Sequence, residues 1–214
     1  MPTTLMAVLA FLFFAPLFVL HHLGPLDFWW WMALNLVALI SLACLIDAGF
    51  RGAMISDLKS QIARKCLIGF GSALVLYVVF WAGNNLSRHM FASAGRGIAA
   101  VYDFKQGAST IRVALLMAGI IGPGEEIFWR GYLQRGLALR IGPTAGFFAV
   151  TALYTGIHVF SGNPMLILAA LICGLFWGAL YLRFESVLLN AVSHTVWDVA
   201  VFLLFPFAQP GGVC

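Results

Sequence analysis

Charged side chains are scarce in this chain of 214 residues: Asp, Glu, Lys and Arg together make up 9% of it, against 62% hydrophobic residues. Too few polar groups are present to cover the surface of an ordinary soluble globule. Crossing a bilayer core takes roughly 20 apolar residues per helix, and six or seven such runs use nearly the whole sequence. The composition therefore predicts an all-α, polytopic integral membrane helix bundle with about seven transmembrane helices, forming one domain over residues 1–214.

Basic clusters interleaved with exposed aromatic residues are also missing, although the net charge is +4. This argues against a nucleic-acid partner and favours basic loops that face the lipid bilayer and the cytoplasm. The cysteines stand singly, without a C-x-x-C spacing, at Cys44, Cys66, Cys173 and Cys214. We expect small buried thiols here, and neither disulfides nor a cysteine-based zinc cluster.

The N-terminal segment lacks the marks of a removed signal peptide. No Lys or Arg precedes the apolar run of residues 4–20, and no small-residue cleavage site is evident; we interpret the run as a first span. Residues 51–65, interpreted as a polar loop, are rich in Lys and Arg, which mark the cytoplasmic side. We expect a cytoplasmic N-terminus and a multi-pass protein of a bacterial cytoplasmic membrane.

Residues 122–140 place ionisable side chains in an otherwise apolar segment. Glu125 and Glu126 are adjacent, and Arg130 follows four residues after Glu126. On a helix this spacing lets Glu126 pair with Arg130, whereas Glu125 lies about 100° further round. Ionisable groups at membrane depth are costly and indicate a functional site. We expect Glu126 to be a structural carboxylate and Glu125 the free one, just past a kink at the Gly-Pro-Gly of residues 122–124.

Two later apolar runs carry polar residues at a matching depth. Tyr154 and His158 are spaced i,i+4 in one run, and His194 and Asp198 share that spacing in the other, so each pair lies on one helix face. A lone membrane histidine often makes only an interhelical hydrogen bond. Four costly groups on three helices, Glu125 included, are hard to explain in that way, and they predict one joint site.

Such a cluster suits amide hydrolysis. A carboxylate in a poorly hydrated pocket, with a neutral imidazole beside it, can draw a proton from water. A second imidazole and a carboxyl group could support a developing oxyanion. His158, His194 and Asp198 would equally suit a zinc ion with water in the fourth position. The sequence leaves both open: the cofactor is none or a single divalent metal, and the enzyme a glutamic-type or a metal-dependent protease.

The motifs Glu-Glu-x-x-x-Arg, aromatic-x-x-x-His and His-x-x-x-Asp, on successive helices, resemble the CPBP family of intramembrane endopeptidases. This family includes the CAAX prenyl proteases and the Ras-converting enzyme. The resemblance covers residues 113–205, which we take as the catalytic core. It implies that Glu125 and His158 activate the attacking water. It also implies that His194 and Asp198 support the oxyanion.

The same resemblance implies that Glu126 and Arg130 hold the shape of the site. The chain departs from the family pattern at two positions. Tyr154 stands where the family usually has Phe, which adds a hydroxyl group to the pocket. Asp198 stands where the prenyl proteases usually have Asn, and an ionised Asp cannot donate to an oxyanion. Asp198 would therefore be protonated, orient His194 or bind a metal.

The substrate implied is a membrane-associated protein or peptide that enters laterally or from the cytoplasmic face. Two rivals share the same residues. One is a non-catalytic membrane adaptor or immunity-type protein on the same scaffold. The other is a haem protein with His158 and His194 as axial ligands. A transporter is disfavoured because the sequence shows no clear internal repeat.

Overall fold

The computed structural model describes residues 2–208, and most of this stretch is helical. Six helices are long and apolar enough to cross a membrane. In the described residues they contain α1 (Pro2–Leu20), α2 (Phe28–Ile46), α4 (Ile62–Met90), α9 (Pro143–His158), α10 (Pro164–Phe184) and α11 (Val187–Val199). The spans of α9 and α11 reach the required length together with the short helical segments that follow them, as Pro143–Ser161 and Val187–Leu204. The predicted all-α, polytopic membrane bundle is confirmed. Cys214 lies outside the described residues.

The span that carries Glu125 and Glu126, which we also expected to cross the membrane, differs in form from these six. Its helical path is broken into α6 (Thr110–Leu116), a π-helix (Met117–Ile121), α7 (Gly122–Glu126), a second π-helix (Ile127–Gln134) and α8 (Arg135–Ile141). Pro123 lacks the amide hydrogen that a regular helix would use, so the hydrogen-bond ladder changes here. The interruption expected around residues 122–124 is therefore present, as a change of helix type on both sides of the two glutamates.

Residues 51–65 do not form the polar loop that we expected. Apart from Ser60 and Gln61, which separate the two helices, they lie in α3 (Ala48–Lys59) and the first turn of α4. The Asp47 side chain caps α3 by accepting a hydrogen bond from the Phe50 amide at 2.8 Å. The Phe50 ring then packs edge-on against Tyr132, with ring centroids 5.3 Å apart. A helix cap and one buried aromatic anchor thus make this polar stretch helical.

The end of the bundle opposite to α3 carries short connecting elements. A two-stranded antiparallel hairpin, β1 (His22–Leu23) and β2 (Leu26–Asp27), joins α1 to α2. Between α4 and α6 lie α5 (Ala94–Tyr102) and a 3₁₀ turn (Asp103–Lys105). Further 3₁₀ and π turns follow α9 (Val159–Ser161) and α11 (Ala200–Leu204).

Close helix packing surrounds the broken span. α11 packs along α4 and against α7, while α9 packs along α10. At Gly69 a Cβ atom would lie 2.6 Å from the Leu189 carbonyl oxygen, and at Gly178 it would lie 2.6 Å from the Phe147 ring. Glycine lets the backbones of α4 and α11 approach closely at Gly69 and leaves room for the Phe147 ring at Gly178. The result is a ring of α7, α9, α10 and α11 around a common centre.

Candidate active site

A cavity of about 220 Å³ lies inside this ring and extends toward α2, α4 and α5. The four residues predicted to be catalytic all line it: Glu125, His158, His194 and Asp198. Their exposed fractions are 5%, 8%, 4% and 5%, respectively, so each is almost fully withdrawn from the surroundings. Three helices, α7, α9 and α11, thus bring the predicted residues to one cavity.

The Glu125 carboxylate is held by one hydroxyl group. The Tyr154 hydroxyl donates to Oε2 of Glu125 at 2.8 Å, from a helix 29 residues further along the chain. The Tyr154 ring is fixed in turn by Trp129, which meets it edge-on at 5.3 Å, and by the Arg130 guanidinium above its face at 5.3 Å. Glu125 is therefore oriented, and it borders the cavity.

Glu126 makes a different set of contacts, and all of them are buried. Arg130 donates to Oε1 at 3.0 Å, as the i,i+4 spacing predicted, and Nδ1 of His194 lies 2.8 Å from the same oxygen. Asn190 donates to Oε2 at 3.1 Å. Neither Glu126 nor Arg130 is more than 1% exposed. A buried carboxylate with three donors is fully engaged, so Glu126 ties α7 to α11.

His194 lies between two carboxyl groups. Its Nδ1 bonds to Glu126, an acceptor, so this nitrogen carries a hydrogen. Its Nε2 faces Oδ2 of Asp198 at 3.6 Å, an ion-pair distance longer than a hydrogen bond. The Trp177 ring stacks on the imidazole with centroids 3.7 Å apart and planes 20° apart. The indole is held by a hydrogen bond to the Ser193 hydroxyl at 3.1 Å. These contacts fix the ring plane and direct Nε2 to Asp198.

The His158 ring is held by a hydrogen bond at its Nδ1 nitrogen. Its Nδ1 lies 2.8 Å from the Tyr154 carbonyl oxygen. A carbonyl only accepts, so Nδ1 is the donor, and the neutral ring has its lone pair on Nε2. The imidazole packs between the rings of Phe18, at 4.5 Å, and Tyr154, at 4.7 Å. His158 thus offers a hydrogen-bond acceptor beside the residue that orients Glu125.

The backbone around the glutamates explains their placement. Two π-helices, Met117–Ile121 and Ile127–Gln134, flank the single turn that carries them; π-helical turns are frequent at functional sites. At Gly122 a Cβ atom would lie 2.8 Å from the Thr195 hydroxyl and 3.1 Å from the Thr195 Cα. The glycine lets this turn approach α11 closely enough for Glu126 to reach His194.

Two contributors were not among the predicted residues. Asn190 bonds to Glu126 and also to the Trp177 carbonyl oxygen, at 2.7 Å, and Trp177 stacks on His194. Asn190 precedes His194 by four residues, just as His194 precedes Asp198, so this face of α11 was visible in the sequence. Trp177 gave no comparable signal, because its contact depends on how α10 packs against α11.

The side chains do not form a ready metal site. Over residues 2–208, no three His, Cys, Asp or Glu side chains are grouped so that they could hold a metal ion. In the candidate set of His158, His194 and Asp198, each histidine uses Nδ1 in a hydrogen bond and leaves Nε2 as the nitrogen that could bind a metal. The three side chains are nevertheless not brought together as one ligand set in this geometry.

The fold and the site together define a multi-pass helical membrane protein with a buried carboxylate–imidazole centre. Residues 107–200 match a family described as type II CAAX prenyl endopeptidase Rce1-like. This segment is similar to an Rce1-like domain, and the CPBP-family assignment predicted from the sequence motifs is confirmed. The match spans every predicted site residue, from Glu125 to Asp198. No similar protein of assigned function and no similar solved structure was found.

Proposed function

We propose that this protein is an intramembrane endopeptidase that hydrolyses a peptide bond of a membrane-associated protein or peptide. One observation carries the proposal: Glu125, oriented by Tyr154, lines the same cavity as His158, His194 and Asp198. The Rce1-like family is one of membrane endopeptidases, which supports the reaction class. The roles below are assigned to individual side chains on the basis of their contacts.

Glu125 and His158 activate the water in this proposal. A water molecule donates one proton to the Glu125 carboxylate and is further oriented by the lone pair on Nε2 of His158. Its oxygen forms a bond to the peptide carbonyl carbon, and the carbonyl oxygen takes up the negative charge. The proton on Glu125 then passes to the amide nitrogen as the C–N bond breaks. Glu125 leaves the cycle as it began, ionised.

His194 and Asp198 stabilise the oxyanion. Nδ1–H of His194 is committed to Glu126, so a donation from Nε2 to the oxyanion needs the doubly protonated ring. That ring has a carboxyl group on each side, Glu126 and Asp198. Preorganised donors of this kind supply a large part of the rate enhancement in acyl transfer. Asp198 in this arrangement orients and charges His194, which fits the Asp found where related proteases have Asn.

The remaining sequence-based expectations stay predictions. They are a single domain over residues 1–214 with its catalytic core at 113–205, and a location in a bacterial cytoplasmic membrane.

The adaptor alternative predicts an intact scaffold without turnover. The haem alternative predicts an absorption band near 400 nm, yet Nε2 of His194 already faces Asp198. The geometry therefore favours hydrolysis.

The experiment is a cleavage assay on purified protein in lipid vesicles with a library of membrane-anchored peptides, read by mass spectrometry. We expect new peptide termini that appear with time and with enzyme concentration. A parallel reaction with a zinc chelator should keep full activity, because the proposed chemistry uses side chains alone. Absence of cleavage across the library, from protein that is folded and inserted, would favour the non-catalytic adaptor.

A further inference from the structure

The Trp177 ring is the surface against which the His194 imidazole lies. Trp177 is fully buried, and its ring centroid is 3.7 Å from that of His194, with the two planes 20° apart. The electron-rich face of an indole attracts a cation, so this stack suits the doubly protonated imidazole that the proposed mechanism uses. The direction in which Nε2 of His194 points therefore depends on how the indole is held.

The indole is held at its one polar atom. Trp177 Nε1 donates to the Ser193 hydroxyl at 3.1 Å, across the contact between α10 and α11. An indole N–H only donates, and a buried donor left without an acceptor is costly. Asn190 holds the backbone of the same residue by donating to the Trp177 carbonyl oxygen at 2.7 Å. The Ser193 oxygen thus fixes the rotation of the ring, and Asn190 fixes its backbone.

A second serine, on a third helix, completes a chain of hydrogen bonds. Ser72 Oγ on α4 lies 2.9 Å from Ser193 Oγ and 2.8 Å from the Gly69 carbonyl oxygen. A carbonyl only accepts, so the single hydroxyl hydrogen of Ser72 goes to Gly69, and Ser72 Oγ accepts the hydrogen of Ser193. The chain therefore runs in one direction, from the indole N–H through both hydroxyls to the backbone of α4. Bonds in such a chain polarise and strengthen one another.

The close approach of α4 to α11 brings the two serines within reach of each other. At Gly69 a Cβ atom would lie 2.6 Å from the Leu189 carbonyl oxygen, so a side chain here would hold the helices apart. Ser72 follows Gly69 by three residues and Ser193 follows Leu189 by four, which places both hydroxyls one turn further along the same contact. The packing of these two helices thus determines the hydrogen-bond chain.

We infer that Ser193 and Ser72 are positioning residues for the proposed reaction. They hold the Trp177 indole in the orientation in which it stacks on His194. Neither serine lines the cavity, so they act through the indole and not on the substrate. α4 lies outside the segment that matches the Rce1-like family, so the N-terminal part of the chain contributes to the site. The catalytic consequence rests on the proposed function, whereas the placement of the ring does not.

The placement of the His194 ring can be tested without a substrate. NMR spectra of protein with isotope-labelled histidine, in lipid nanodiscs, report on five histidines, and His194→Gln identifies the signal of His194. The stacked indole moves the ring protons of His194 upfield in the wild type. Ser193→Ala removes the acceptor of the indole and should abolish most of this upfield shift. Ser72→Ala should reduce it less, because the indole keeps its acceptor.

Ser72→Ala also serves as the second variant if Ser193→Ala does not fold. An unchanged His194 signal in the folded serine variants would overturn the proposal.

Thr151→Val is the matched control. The Thr151 hydroxyl also bonds to a neighbouring helix, donating to the Gly174 carbonyl oxygen at 3.2 Å, and the residue does not line the cavity. The substitution removes the same kind of bond between two helices but leaves the chain to His194 intact. We expect the His194 signal and the cleavage rate to stay close to wild type. Equal changes in Thr151→Val and Ser193→Ala would mean general loosening of the bundle and would overturn the proposal.

Cleavage kinetics provide a second arm, in which the effect of one serine depends on the other. Ser193→Ala should lower kcat about tenfold, with KM within about twofold of wild type, because His194 acts on the oxyanion and not on bound substrate. Ser72→Ala should lower kcat about threefold. Because Ser72 acts through Ser193, the double variant should match Ser193→Ala alone.

A double variant in which the two losses multiply would contradict the inference, since the serines would then act independently. If wild-type protein cleaves nothing, the NMR arm still decides the placement of His194. This separates failure of the inference from failure of the proposed function.

Discussion

Asp198 is one of the two positions at which this chain departs from the pattern of the family it resembles. Its Oδ2 faces Nε2 of His194 at 3.6 Å, and it borders the cavity. A carboxylate there can balance charge on the imidazole, whereas an amide would instead donate a hydrogen bond itself. In the proposed mechanism either arrangement would support the oxyanion, so the exchange of Asp for Asn is chemically reasonable at this position.

We predict that Asp198→Asn keeps or raises proteolytic activity at neutral to alkaline pH, because the amide donates without needing a proton. Asp198→Ala, which offers neither charge nor donor, is the control and should lose activity. The measurement is kcat/KM of the three proteins on one peptide. A steep loss in Asp198→Asn that added zinc restores would make Asp198 a metal ligand and contradict the account.

The Glu126–Arg130 pair is expected to stabilise the fold. Arg130→Ala leaves the Glu126 carboxylate buried with its strongest donor removed, at a cost of about 3 to 5 kcal/mol. Glu126→Gln should likewise lower stability and activity together, since Arg130 then lacks its counter-charge. Arg140→Ala, at an exposed position, is the matched control and should unfold like wild type. Thermal unfolding in detergent measures all three, and unchanged melting temperatures for the site variants would refute the structural role.

Contacts within one helix were predictable from spacing, and contacts between helices were not. The four-residue steps from Glu126 to Arg130 and from His194 to Asp198 correctly predicted which side chains share a face. The bond between Glu126 and His194 joins residues 68 apart in sequence. No local pattern encodes it, because it depends on the packing of α7 against α11.

At the scale of elements, the turn that carries the glutamates depends on its approach to α11. We predict that Gly122→Ala destabilises the protein by about 1 to 3 kcal/mol, because the new methyl group would press on the Thr195 backbone. Gly119→Ala is the control: its Cβ would meet nothing within 4 Å, and alanine favours helices over glycine. Equal melting temperatures for the two variants would show that α7 can shift at no cost.

Element boundaries show where composition misleads. The six long spans follow from apolar length alone, which is why the bundle could be predicted. Residues 51–65 have the polarity of a loop, but the Asp47 cap and the buried Phe50 ring make most of them helical. The π-helices around the glutamates have no hydrophobic signature. The sequence therefore indicated an interruption at Pro123 but not that it would take the form of π-helices.

At the scale of the whole molecule, the packing of the helices decides which end of the bundle the cavity reaches. The lining of the cavity includes Trp29 of α2, Asn84 of α4 and Tyr102 of α5, but within residues 2–208 it includes no residue of α3 or α8. The sequence supplied the apolar spans, but no local pattern encodes this asymmetry, because it depends on the packing of α4, α5 and α10.

The most direct test of the central claim is the cleavage rate of Glu125→Gln. Glutamine can still accept the Tyr154 hydrogen bond, so the fold and the melting temperature should be unchanged while the base is lost. We predict a fall in kcat of about 10²- to 10⁴-fold, with the exposed Glu185→Gln equal to wild type. A Glu125→Gln protein that cleaves within a few-fold of wild type would contradict the assignment of Glu125 as the general base.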